Sequence, residues 1–398
     1  MRIAMFSDNF YPELSGLADS IMTTAKELGK RGHYVEFYVP RYSKKDFAIV
    51  GLPEGEINLG ERVSVVRLPS FHATSGTGQG RGVIPMPWHS HRVRKFNPDI
   101  IHVHLFFGAG VEGLIAARKL KKPIVGTNHT TLNEAMFLPY VPFHSKKLVG
   151  LIQRYVIWFY NKCLLVTAPS RMAIEDMQFH GFKKEGHVIS NPIDTKLFAP
   201  LPNKNWLRKR LGCPEHTIIH AGRLASERNI DVILRATALV KQKIPDVQLL
   251  LAGSGAVEND LKKLSATLGI EKNVVFMGFL DKPKLAEVYN ASKIFVIAST
   301  TDTQSMVLMQ AMACGLPAVA VKAGGPMEYV KKNSGFLVEP GDHGTLAKKI
   351  IYLFKNPELR KKLGLGARMF AGKFSAPETA KEWEKIYQKI IKDYSVLK

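Results

Sequence analysis

Residues 299–321, STTDTQSMVLMQAMACGLPAVAV, contain the pattern that decides the fold prediction. The first seven residues are polar and predict a loop, and the apolar run after them predicts a helix that begins near Gln304. Gly315, followed by Pro317, predicts where this helix ends. Because the residues beyond Pro317 predict a strand, the stretch indicates a loop, a helix and a strand in succession.

Gln310 is an amide inside a predicted helix whose other side chains are almost all apolar or small. Such a helix is buried on most of its sides, and a buried amide needs hydrogen-bond partners. The helical rise places Gln310 roughly 9 Å along the axis from the first turn. The helix N-terminus and Gln310 could therefore hold separate ends of one extended ligand. The alternative is a core glutamine bonded to the backbone.

The same alternation of short apolar strands and helices continues on both sides of this stretch. It predicts an α/β fold in which helices cover both faces of parallel sheets. The alternation stops at ISNPIDTKLFAPLPNKN, residues 189–205, where three prolines in a polar segment indicate a linker. We therefore predict two doubly wound, Rossmann-like domains. They comprise residues 1–190 and 206–375, joined by a linker at 191–205 and followed by a helix at 376–398 that could pack back on the N-terminal domain.

In open parallel sheets, ligands bind beyond the carboxyl ends of the strands. Two sheets that face each other would bring the strand-to-helix loops of both domains to one cleft. The candidate site residues fall on those loops, so the sequence predicts a site at such a cleft.

The chain of 398 residues carries a formal net charge of +22. A surface this basic attracts phosphates, whether on nucleic acid, anionic lipid headgroups or phosphorylated small molecules; the alternative is a generally basic proteome. The three isolated cysteines have no metal-site or disulfide spacing, which favours a reducing compartment. Because we find no signal-peptide pattern and no run of roughly 18 or more apolar residues, we expect a cytoplasmic protein.

Two strand-to-helix loops of the first domain carry candidate site residues. Gly16, in FSDNFYPELSGLADSI, precedes a predicted helix; a glycine lets the backbone approach a ligand, and a helix N-terminus favours an anion. His129, in GTNHTT, follows a strand and can donate a hydrogen bond at neutral pH. An ordinary tight turn and a structural histidine are the alternatives.

Two strand-to-helix loops of the second domain also carry candidate site residues. Arg223 and Arg228, in HAGRLASERNID, offer planar guanidinium groups that suit a diphosphate; solvated surface charges are the alternative. Gly253 lies in the Gly-Ser-Gly turn of LLLAGSGAVEND, which departs from G-x-G-x-x-G and is weak evidence for a dinucleotide. The sequence has no Asp-x-Asp motif, and we expect no metal.

In this order the motifs resemble those of the retaining glycosyltransferases of family 4, which have the GT-B fold of two Rossmann-like domains facing across a cleft. The resemblance covers nearly the whole chain. It rests on Tyr11, Pro12 and Gly16, on GKRGHYV, PDIIHVH and GTNH, on APSRMAIEDM and SNPIDTKLF, and on GRLASERNID, AGSG, VVFMGFL, GGPMEYV and GFLVEPGD. The most specific part of the resemblance is the stretch at residues 299–321, where the family has two glutamates separated by seven residues.

The resemblance implies an enzyme that passes a hexose from a nucleotide-diphosphate sugar to an acceptor and keeps the anomeric configuration, with no cofactor. The donor, expected to be a UDP-hexose, would bind mainly to the second domain. The arginines would hold the diphosphate, Asp302 the sugar hydroxyls and Gln310 the ribose. The residues implied in catalysis are His129, Asp302, Arg223 and Arg228, and those implied in donor binding are Gly16, Arg223, Arg228, Gly253, Asp302, Ser305, Met306, Val307, Gln310 and Glu328.

Three positions depart from the family pattern. Asp302 and Gln310 stand where the family has its two glutamates, and Arg228 stands where it has a lysine. Neutral hydrogen bonds are about half as strong as those to a charged acceptor, so Gln310 would lose ~1 kcal/mol, or about fivefold in affinity. An active enzyme is therefore the leading interpretation, and a weakened paralogue is the alternative.

The segment STTDTQS at 299–305 resembles the Ser-x-x-Glu-Thr-Gln-Gly segment of the diacylglycerol glucosyltransferases in this family. The basic segments at 92–95, 118–122 and 145–147, with the aromatic segment AMFLPYVPF at 135–143, predict a peripheral enzyme on the inner face of an anionic membrane. The expected substrates are UDP-glucose and diacylglycerol. The alternatives are another lipid or a soluble glycan as acceptor and, more distantly, a basic nucleic-acid-binding protein, for which we find no groove-reading module.

Overall fold

The computed structural model describes residues 1–13, 15–73, 79–86, 90–132, 137, 141 and 145–396. The chain divides into two compact units. Unit 1 comprises Met1–Pro192 and Ala376–Lys398, and unit 2 comprises Ile193–Ser375. Most of the aromatic segment 135–143 lies outside the described residues.

Unit 1 is built on a seven-stranded sheet in which all neighbouring strands are parallel. The strands of the unit are β1 (Arg2–Phe6), β2 (Tyr34–Pro40), β3 (Val63–Leu68), β4 (Ser70–His72), β5 (Arg81–Val83), β6 (Ile100–Val103), β7 (Ile124–Thr127), β8 (Leu165–Ala168) and β9 (Gly186–Val188). The order in the sheet is β3-β2-β1-β6-β7-β8-β9, and β4 and β5 form a separate antiparallel pair.

Helices follow most of these strands. They are α1 (Gly16–Lys30), α2 (Lys44–Ile49), α3 (Ser90–Phe96), α4 (Gly108–Leu120), α5 (Lys146–Asn161) and α6 (Arg171–Phe179).

Unit 2 repeats the arrangement with six parallel strands. They are β10 (Thr217–Ala221), β11 (Gln248–Ala252), β12 (Val274–Gly278), β13 (Ile294–Ile297), β14 (Ala318–Val321) and β15 (Gly335–Val338), in the order β12-β11-β10-β13-β14-β15. Its α-helices are α7 (Lys204–Arg210), α8 (Ile230–Lys241), α9 (Glu258–Thr267), α10 (Lys282–Ala291), α11 (Met306–Ala313), α12 (Gly324–Tyr329), α13 (His343–Lys355) and α14 (Pro357–Gly372). Short 3₁₀ helices lie at Ser226–Arg228 and Glu271–Asn273.

The central strands of both sheets are continuous apolar runs because helices cover both of their faces. Every residue of β6 and of β13 is buried, as is typical of parallel sheets with two covered faces. The structure thus confirms the predicted α/β class with two doubly wound, Rossmann-like sheets.

Helix α11, which the sequence predicted within residues 299–321, is buried along nearly its whole length. It begins at Met306, two residues after the predicted start at Gln304. Gly315, with a φ of +83°, directly follows the C-cap residue Cys314, so the helix ends where the sequence predicted. Gln310 is only 6% exposed, so the expectation of a buried amide is correct.

The order of the strands reverses between β1 and β6 in unit 1 and between β10 and β13 in unit 2. Connections that leave such neighbouring strands on opposite faces open a crevice beyond the carboxyl ends. Gly16 follows β1, His129 follows β7, Arg223 follows β10 and Asp302 follows β13. The candidate residues therefore lie at the edges of the two sheets where ligand sites of this fold class occur.

The last helix, α15 (Ala376–Val396), returns to unit 1. Its buried face carries Trp383 and Tyr387, which pack with Ile21 and Val125 of the unit 1 core. Glu384 bonds to both Arg31 and His33 at the end of α1. Across the described ranges, neither this helix nor any other is both long enough and apolar enough to cross a membrane.

The segment that the sequence suggested as a linker, residues 191–205, contributes to the core of unit 2. Ile193 and Phe198 are 1% exposed and pack in a cluster with α11. The N–H group of Ile193 donates to the carbonyl of Phe374 at 2.8 Å, so the chain enters and leaves unit 2 at adjacent points.

Candidate functional site

An ion pair joins the loop after β10 to the loop after β13. The Nη1 group of Arg228 donates to the carboxylate of Asp302 and, at 3.2 Å, to Oγ of Ser299. Side-chain exposure is 23% for Arg228 and 10% for Asp302, so the pair is mostly shielded from water. The amide of Asn229 adds a hydrogen bond of 3.1 Å to the carbonyl of Ala298. These contacts fix the two loops against each other.

Several polar atoms at this edge of the sheet are buried and have no hydrogen-bond partner in the described part of the chain. They are Oδ2 of Asp302, Oγ of Ser305 and Nε of Arg228. Ser305 is the N-cap residue of α11, yet its side chain makes no capping hydrogen bond. Since buried polar groups nearly always have partners, these atoms are candidates to bind a polar ligand.

Gln310 lies one turn further along α11, and the residue is only 6% exposed. Its side chain is buried and makes no hydrogen bond to any described residue, although its backbone carbonyl accepts from the N–H group of Cys314. Met306 and Val307 form the first turn of the helix; the carbonyl of Val307 accepts from the hydroxyl of Tyr289 at 3.1 Å. The backbone bonding that would explain Gln310 as a core amide is therefore not present among the described residues.

Arg223 follows β10 and is about one-third exposed. Its Nη2 group pairs with Oε1 of Glu227 at 2.7 Å. Glu227 could not be recognised from the sequence, because a surface acid four residues after the arginine gives no signal of its own. A diphosphate at Arg223 would compete with this carboxylate.

Gly253 packs directly on the loop that carries Arg223. Its φ is +144°, and a Cβ there would lie 1.9 Å from the carbonyl oxygen of Gly222. The N–H group of Leu224 donates to the carbonyl of Ser254 at 3.0 Å. The Gly-Ser-Gly turn therefore shapes the arginine loop through backbone contacts that leave no room for a side chain.

Glu328 lies half-buried on the short helix α12, whose start packs closely on the loop after β13. The N–H group of Gly325 donates to the carbonyl of Asp302 at 2.6 Å. A Cβ on Gly325 would lie 2.5 Å from the carbonyl oxygen of Thr303. The paired glycines of GGPMEYV thus let α12 contact the Asp302 loop.

His220, on β10, is a further titratable group that the sequence analysis missed. Its Nδ1 atom is bonded to the carbonyl of Val296 at 3.0 Å, and its Nε2 atom is buried with no partner among the described residues. Burial lowers the pKa of His220 to about 4, and it lies near enough for Arg228 to lower and Asp302 to raise that pKa. The ring is therefore neutral at physiological pH.

In unit 1, His129 is the half-buried member of a row of three histidines, of which His102 and His104 are buried. His104 Nδ1 and His129 Nε2 are 3.2 Å apart, and the rings of His102 and His104 lie 3.9 Å apart between centroids. His102 contacts the hydroxyl of Tyr387 at 2.6 Å and that of Thr127 at 2.7 Å. A chain of side-chain contacts thus runs from Tyr387 of α15 through His102 and His104 to His129, which follows β7.

Burial keeps these histidines uncharged. It lowers the pKa of His129 to about 3 and holds the pKa values of His102 and His104 well below the usual value for histidine. A neutral imidazole can donate or accept one hydrogen bond without adding a charge. His129 is thus suited to a polar contact with a neutral group such as a sugar hydroxyl.

Gly16 is the exposed first residue of the 15-residue helix α1. The N-cap residue Ser15 accepts a hydrogen bond from the N–H group of Ala18 at 3.0 Å. Nearby in sequence, Asp8 accepts from the N–H group of Ala109, at 2.7 Å, and burial raises its pKa to about 6. The sequence analysis missed Asp8, whose partner is distant along the chain.

The predicted site residues therefore fall into two groups. Arg228, Asp302, Ser305 and Gln310 lie around the start of α11 in unit 2, beside the loop of Arg223 and Gly253. Gly16 and His129 lie at the carboxyl edge of the unit 1 sheet. In the described ranges, no cluster of three or more His, Cys, Asp and Glu side chains is arranged to hold a metal ion.

Comparison with known proteins identifies the type of both units. The family described as Glycosyl transferases group 1 matches residues 207–370. The family described as Glycosyltransferase Family 4 matches residues 14–197. Together the two matches cover most of the chain, with one family in each unit.

Curated relatives include enzymes with different donors and acceptors. The chain is 29% identical over 329 residues to an alpha-monoglucosyldiacylglycerol synthase of Streptococcus pneumoniae, covering 80% of this chain and 71% of that protein. It is 25% identical over 411 residues to the synthase of the same name from Acholeplasma laidlawii, covering 98% of each. It is also 26% identical to a GDP-mannose-dependent alpha-mannosyltransferase of Corynebacterium glutamicum, covering 86% of this chain and 78% of that one.

Two solved structures have a similar fold over nearly the whole chain. A sucrose-phosphate synthase from Thermosynechococcus elongatus matches with a TM-score of 0.79 at 20% identity, covering 98% of this chain and 99% of that one. Anabaena HepE in complex with UDP-glucose matches with a TM-score of 0.75 at 22% identity, covering 98% and 100%. The two Rossmann-like units, the two family matches and these structural neighbours lead to one conclusion: the chain belongs to the family 4, group 1 glycosyltransferases and has their GT-B type of fold.

Proposed function

We propose that this glycosyltransferase moves a hexose from a UDP-hexose, with UDP-glucose expected, to a membrane lipid such as diacylglycerol, with retention of the anomeric configuration. The observation that carries the donor assignment is the group of buried, unbonded polar atoms around the start of α11. Two alpha-monoglucosyldiacylglycerol synthases among the relatives support the lipid acceptor.

The donor assignment follows from the chemistry of those atoms. Oδ2 of Asp302 and Oγ of Ser305 can accept hydrogen bonds from sugar hydroxyls, and the Gln310 amide can bond a ribose. Arg228 and Arg223 supply positive charge on the same side of the sheet. A nucleotide-diphosphate sugar is the ligand class that carries hydroxyls and phosphates together.

Breaking the bond between the anomeric carbon and the phosphate oxygen leaves negative charge on the departing diphosphate. Guanidinium groups that are already in place stabilise such charge without reorganisation. In our proposal Arg223 and Arg228 perform this role, the neutral His129 bonds a sugar hydroxyl, and the acceptor attacks from the face that the diphosphate leaves. The leaving phosphate would help to deprotonate the acceptor.

A lipid acceptor requires contact with a membrane, and helix α5 offers an exposed apolar face in unit 1. Leu148, Leu151, Tyr155 and Trp158 are exposed by 39%, 57%, 37% and 51%. Their spacing of three, four and three residues places them along one side of the helix. The rings of Tyr155 and Trp158 stack with centroids 5.8 Å apart.

Basic side chains lie on and beside the same helix. Lys147, Arg154 and Lys162 are exposed, and the ammonium group of Lys162 lies 5.6 Å from the Trp158 ring centroid. The helix Lys146–Asn161 contains no acidic residue. Exposed aromatic and leucine side chains beside basic ones favour the interface of an anionic bilayer, so this face supports a peripheral membrane enzyme.

Purified protein with radiolabelled UDP-glucose and diacylglycerol in phosphatidylglycerol vesicles tests the proposal. We expect formation of an α-linked glucosyldiacylglycerol, with the anomer assigned by NMR. A parallel thermal-shift series with UDP, GDP and ADP should give its largest stabilisation with UDP. No response to any nucleotide would contradict the donor assignment, and transfer to soluble glycans in preference to lipid would contradict the acceptor.

GDP-mannose is the second candidate donor, since relatives named as GDP-mannose-dependent alpha-mannosyltransferases match over much of the chain. The same thermal-shift series decides between the two, because a GDP-mannose enzyme should respond more strongly to GDP. A weakened paralogue would bind nucleotide but show little transfer to any acceptor.

A further inference from the structure

A basic pocket of about 490 Å³ lies in unit 2, away from the site around Arg228 and Asp302. It is bordered by α7, by the residues that precede β13 and β14, and by one face of α14 from Pro357 to Arg368. Its six cationic lining residues, which define the basic pocket, are Lys204, Arg208, Lys293, Arg360, Lys361 and Arg368.

The pocket and the candidate donor site lie at opposite edges of the same sheet. Lys293 immediately precedes β13, whereas Asp302 follows its other end. Pro317, also in the pocket wall, immediately precedes β14. Since the strands of this sheet are parallel, their amino ends share one edge and their carboxyl ends the other. The pocket is therefore separate from the donor site.

Cations outnumber carboxylates in this pocket. Among the described lining residues Glu358 supplies the one carboxylate, and it forms no ion pair with them. Glu215, just outside the lining, bonds Arg208 and Lys293, each at 2.7 Å. Lys204, Lys361 and Arg368 have no carboxylate partner within the described ranges, so the pocket keeps a surplus of positive charge.

Lys204 is the least exposed of these three cations. It is half-buried, and its Nζ atom has only the carbonyl of Cys314, at 3.5 Å, as a hydrogen-bond partner among described residues. Burial, followed by repulsion from Lys293 and Arg368, lowers its pKa. An anion in the pocket would stabilise the charged form of each of these groups.

The walls of the pocket are fixed by backbone packing. A Cβ on Gly364 of α14 would lie 2.3 Å from the carbonyl oxygen of Gly315, so the helix contacts this loop without a side chain between them. Nη1 of Arg360 is held by the carbonyls of Leu353, at 3.0 Å, and Phe354, at 3.3 Å. Arg360 is thus held in place, and α14 packs closely on the loop of Gly315.

We propose that the basic pocket binds a phosphate-bearing ligand at a second site, separate from the donor site. Its volume falls within the range of about 300–1,000 Å³ typical of small-molecule sites, which exceeds the needs of a single phosphate and suits a sugar phosphate or a pyrophosphate. Lysine and arginine are the side chains that recognise phosphate oxygens. A soluble phosphorylated metabolite and the headgroup of an anionic phospholipid both offer this chemistry.

Calorimetric titration of the full-length protein with inorganic pyrophosphate, in the presence of saturating UDP, tests this proposal. UDP occupies the donor site, so the remaining binding reports a second site. We expect one binding event that weakens at least tenfold in Lys204→Met and in Lys361→Glu. Lys362→Glu is the matched control, because Lys362 is exposed on the same helix and does not line the pocket, and we expect it to bind as the unmodified protein does.

Loss of all pyrophosphate binding when UDP is added would overturn the proposal, as would equal effects of Lys361→Glu and Lys362→Glu. If UDP itself does not bind, the donor assignment fails, while the comparison of the lysine variants still tests the basic pocket. Melting temperatures of the variants show whether each is folded.

Phosphatidylglycerol vesicles distinguish the two sources of phosphate. Displacement of pyrophosphate by these vesicles, but not by phosphatidylcholine vesicles, supports the pocket as a headgroup site. Undisturbed pyrophosphate binding supports a soluble phosphorylated ligand.

Discussion

Arg228 and Asp302 form an ion pair between the loops that follow two adjacent parallel strands of unit 2, β10 and β13. The pair leaves one carboxylate oxygen buried and unbonded in the described part of the chain. Asp302 can therefore bond a ligand while it remains paired with the arginine. The carboxylate therefore orders the two loops and, in our proposal, also bonds the donor.

We expect Asp302→Asn to reduce hexose transfer by at least about tenfold and to destabilise unit 2 by ~1–3 kcal/mol, because it leaves a partly buried guanidinium without its anion. Asp302→Glu keeps the charge and should retain most of the activity. Initial rates with UDP-glucose and urea unfolding measure the two effects. Asp246→Asn, at an exposed carboxylate that contacts His216, is the control; full activity of Asp302→Asn would exclude the proposed role.

Gln310→Glu should tighten UDP binding by about fivefold, since a carboxylate is a stronger acceptor for the ribose hydroxyls than an amide. Titration calorimetry with UDP measures the change. Gln242→Glu makes the same substitution at an exposed position and should leave the affinity unchanged. Weaker binding or a lower melting temperature in Gln310→Glu would instead identify Gln310 as a core amide.

The stability of unit 1 should fall as the pH drops below about 6.5, the usual pKa of histidine. Burial lowers the pKa of His129 to about 3, so between these values the unfolded chain binds the proton and the folded chain does not. From pH 6.5 to pH 5 this costs ~2 kcal/mol per such histidine. Asp8, with its pKa raised to about 6, acts in the opposite direction.

Urea unfolding of His129→Asn at pH 7.5 and pH 5.0 measures this contribution. The loss of stability on acidification should be smaller in the variant than in the unmodified protein. His187→Asn, at an exposed histidine of the same unit, should leave the loss unchanged. Identical pH dependence in His129→Asn and the unmodified protein would mean that folding does not lower the pKa of His129.

Trp158→Glu should reduce flotation of the protein with phosphatidylglycerol vesicles by about tenfold, because it places a negative charge on the exposed face of α5. Phe179→Glu is a matched control, since Phe179 is an aromatic residue of unit 1 that is 87% exposed but lies on a different helix. Raising the salt concentration should weaken the flotation of the unmodified protein. Equal flotation of both variants would contradict a membrane role for α5.

Tyr387→Phe should destabilise unit 1 by ~1–2 kcal/mol, because it removes the hydroxyl that contacts His102 at 2.6 Å in a buried position. Hydrogen exchange, followed separately for peptides of each unit, measures where protection is lost. Tyr352→Phe removes an exposed hydroxyl in unit 2 and should have little effect. Loss of protection mainly in unit 2 would contradict the assignment of α15 to unit 1.

Local patterns in the sequence predicted the fold class because buried parallel strands are apolar throughout and helix ends have their own signals. The burial of Gln310 could be predicted in the same way, since it depends on its own helix. The contact between His104 and His129 could not, because it depends on which strands are neighbours and on their register. The contact between Asp8 and Ala109 could not be predicted for the same reason. Glu227 was missed for a different reason, because a surface acid four residues from Arg223 gives no signal of its own.

Unit 2 is inserted in sequence between the body of unit 1 and its last helix, and this order has a consequence for synthesis. At about 5–20 residues per second, the ribosome needs roughly 10–40 s to make unit 2. Through that interval unit 1 lacks Trp383 and Tyr387, which complete its apolar core. Unit 2 can therefore fold during translation before the earlier-made unit is complete, and a stop codon in the last few dozen positions would damage the first domain of the chain.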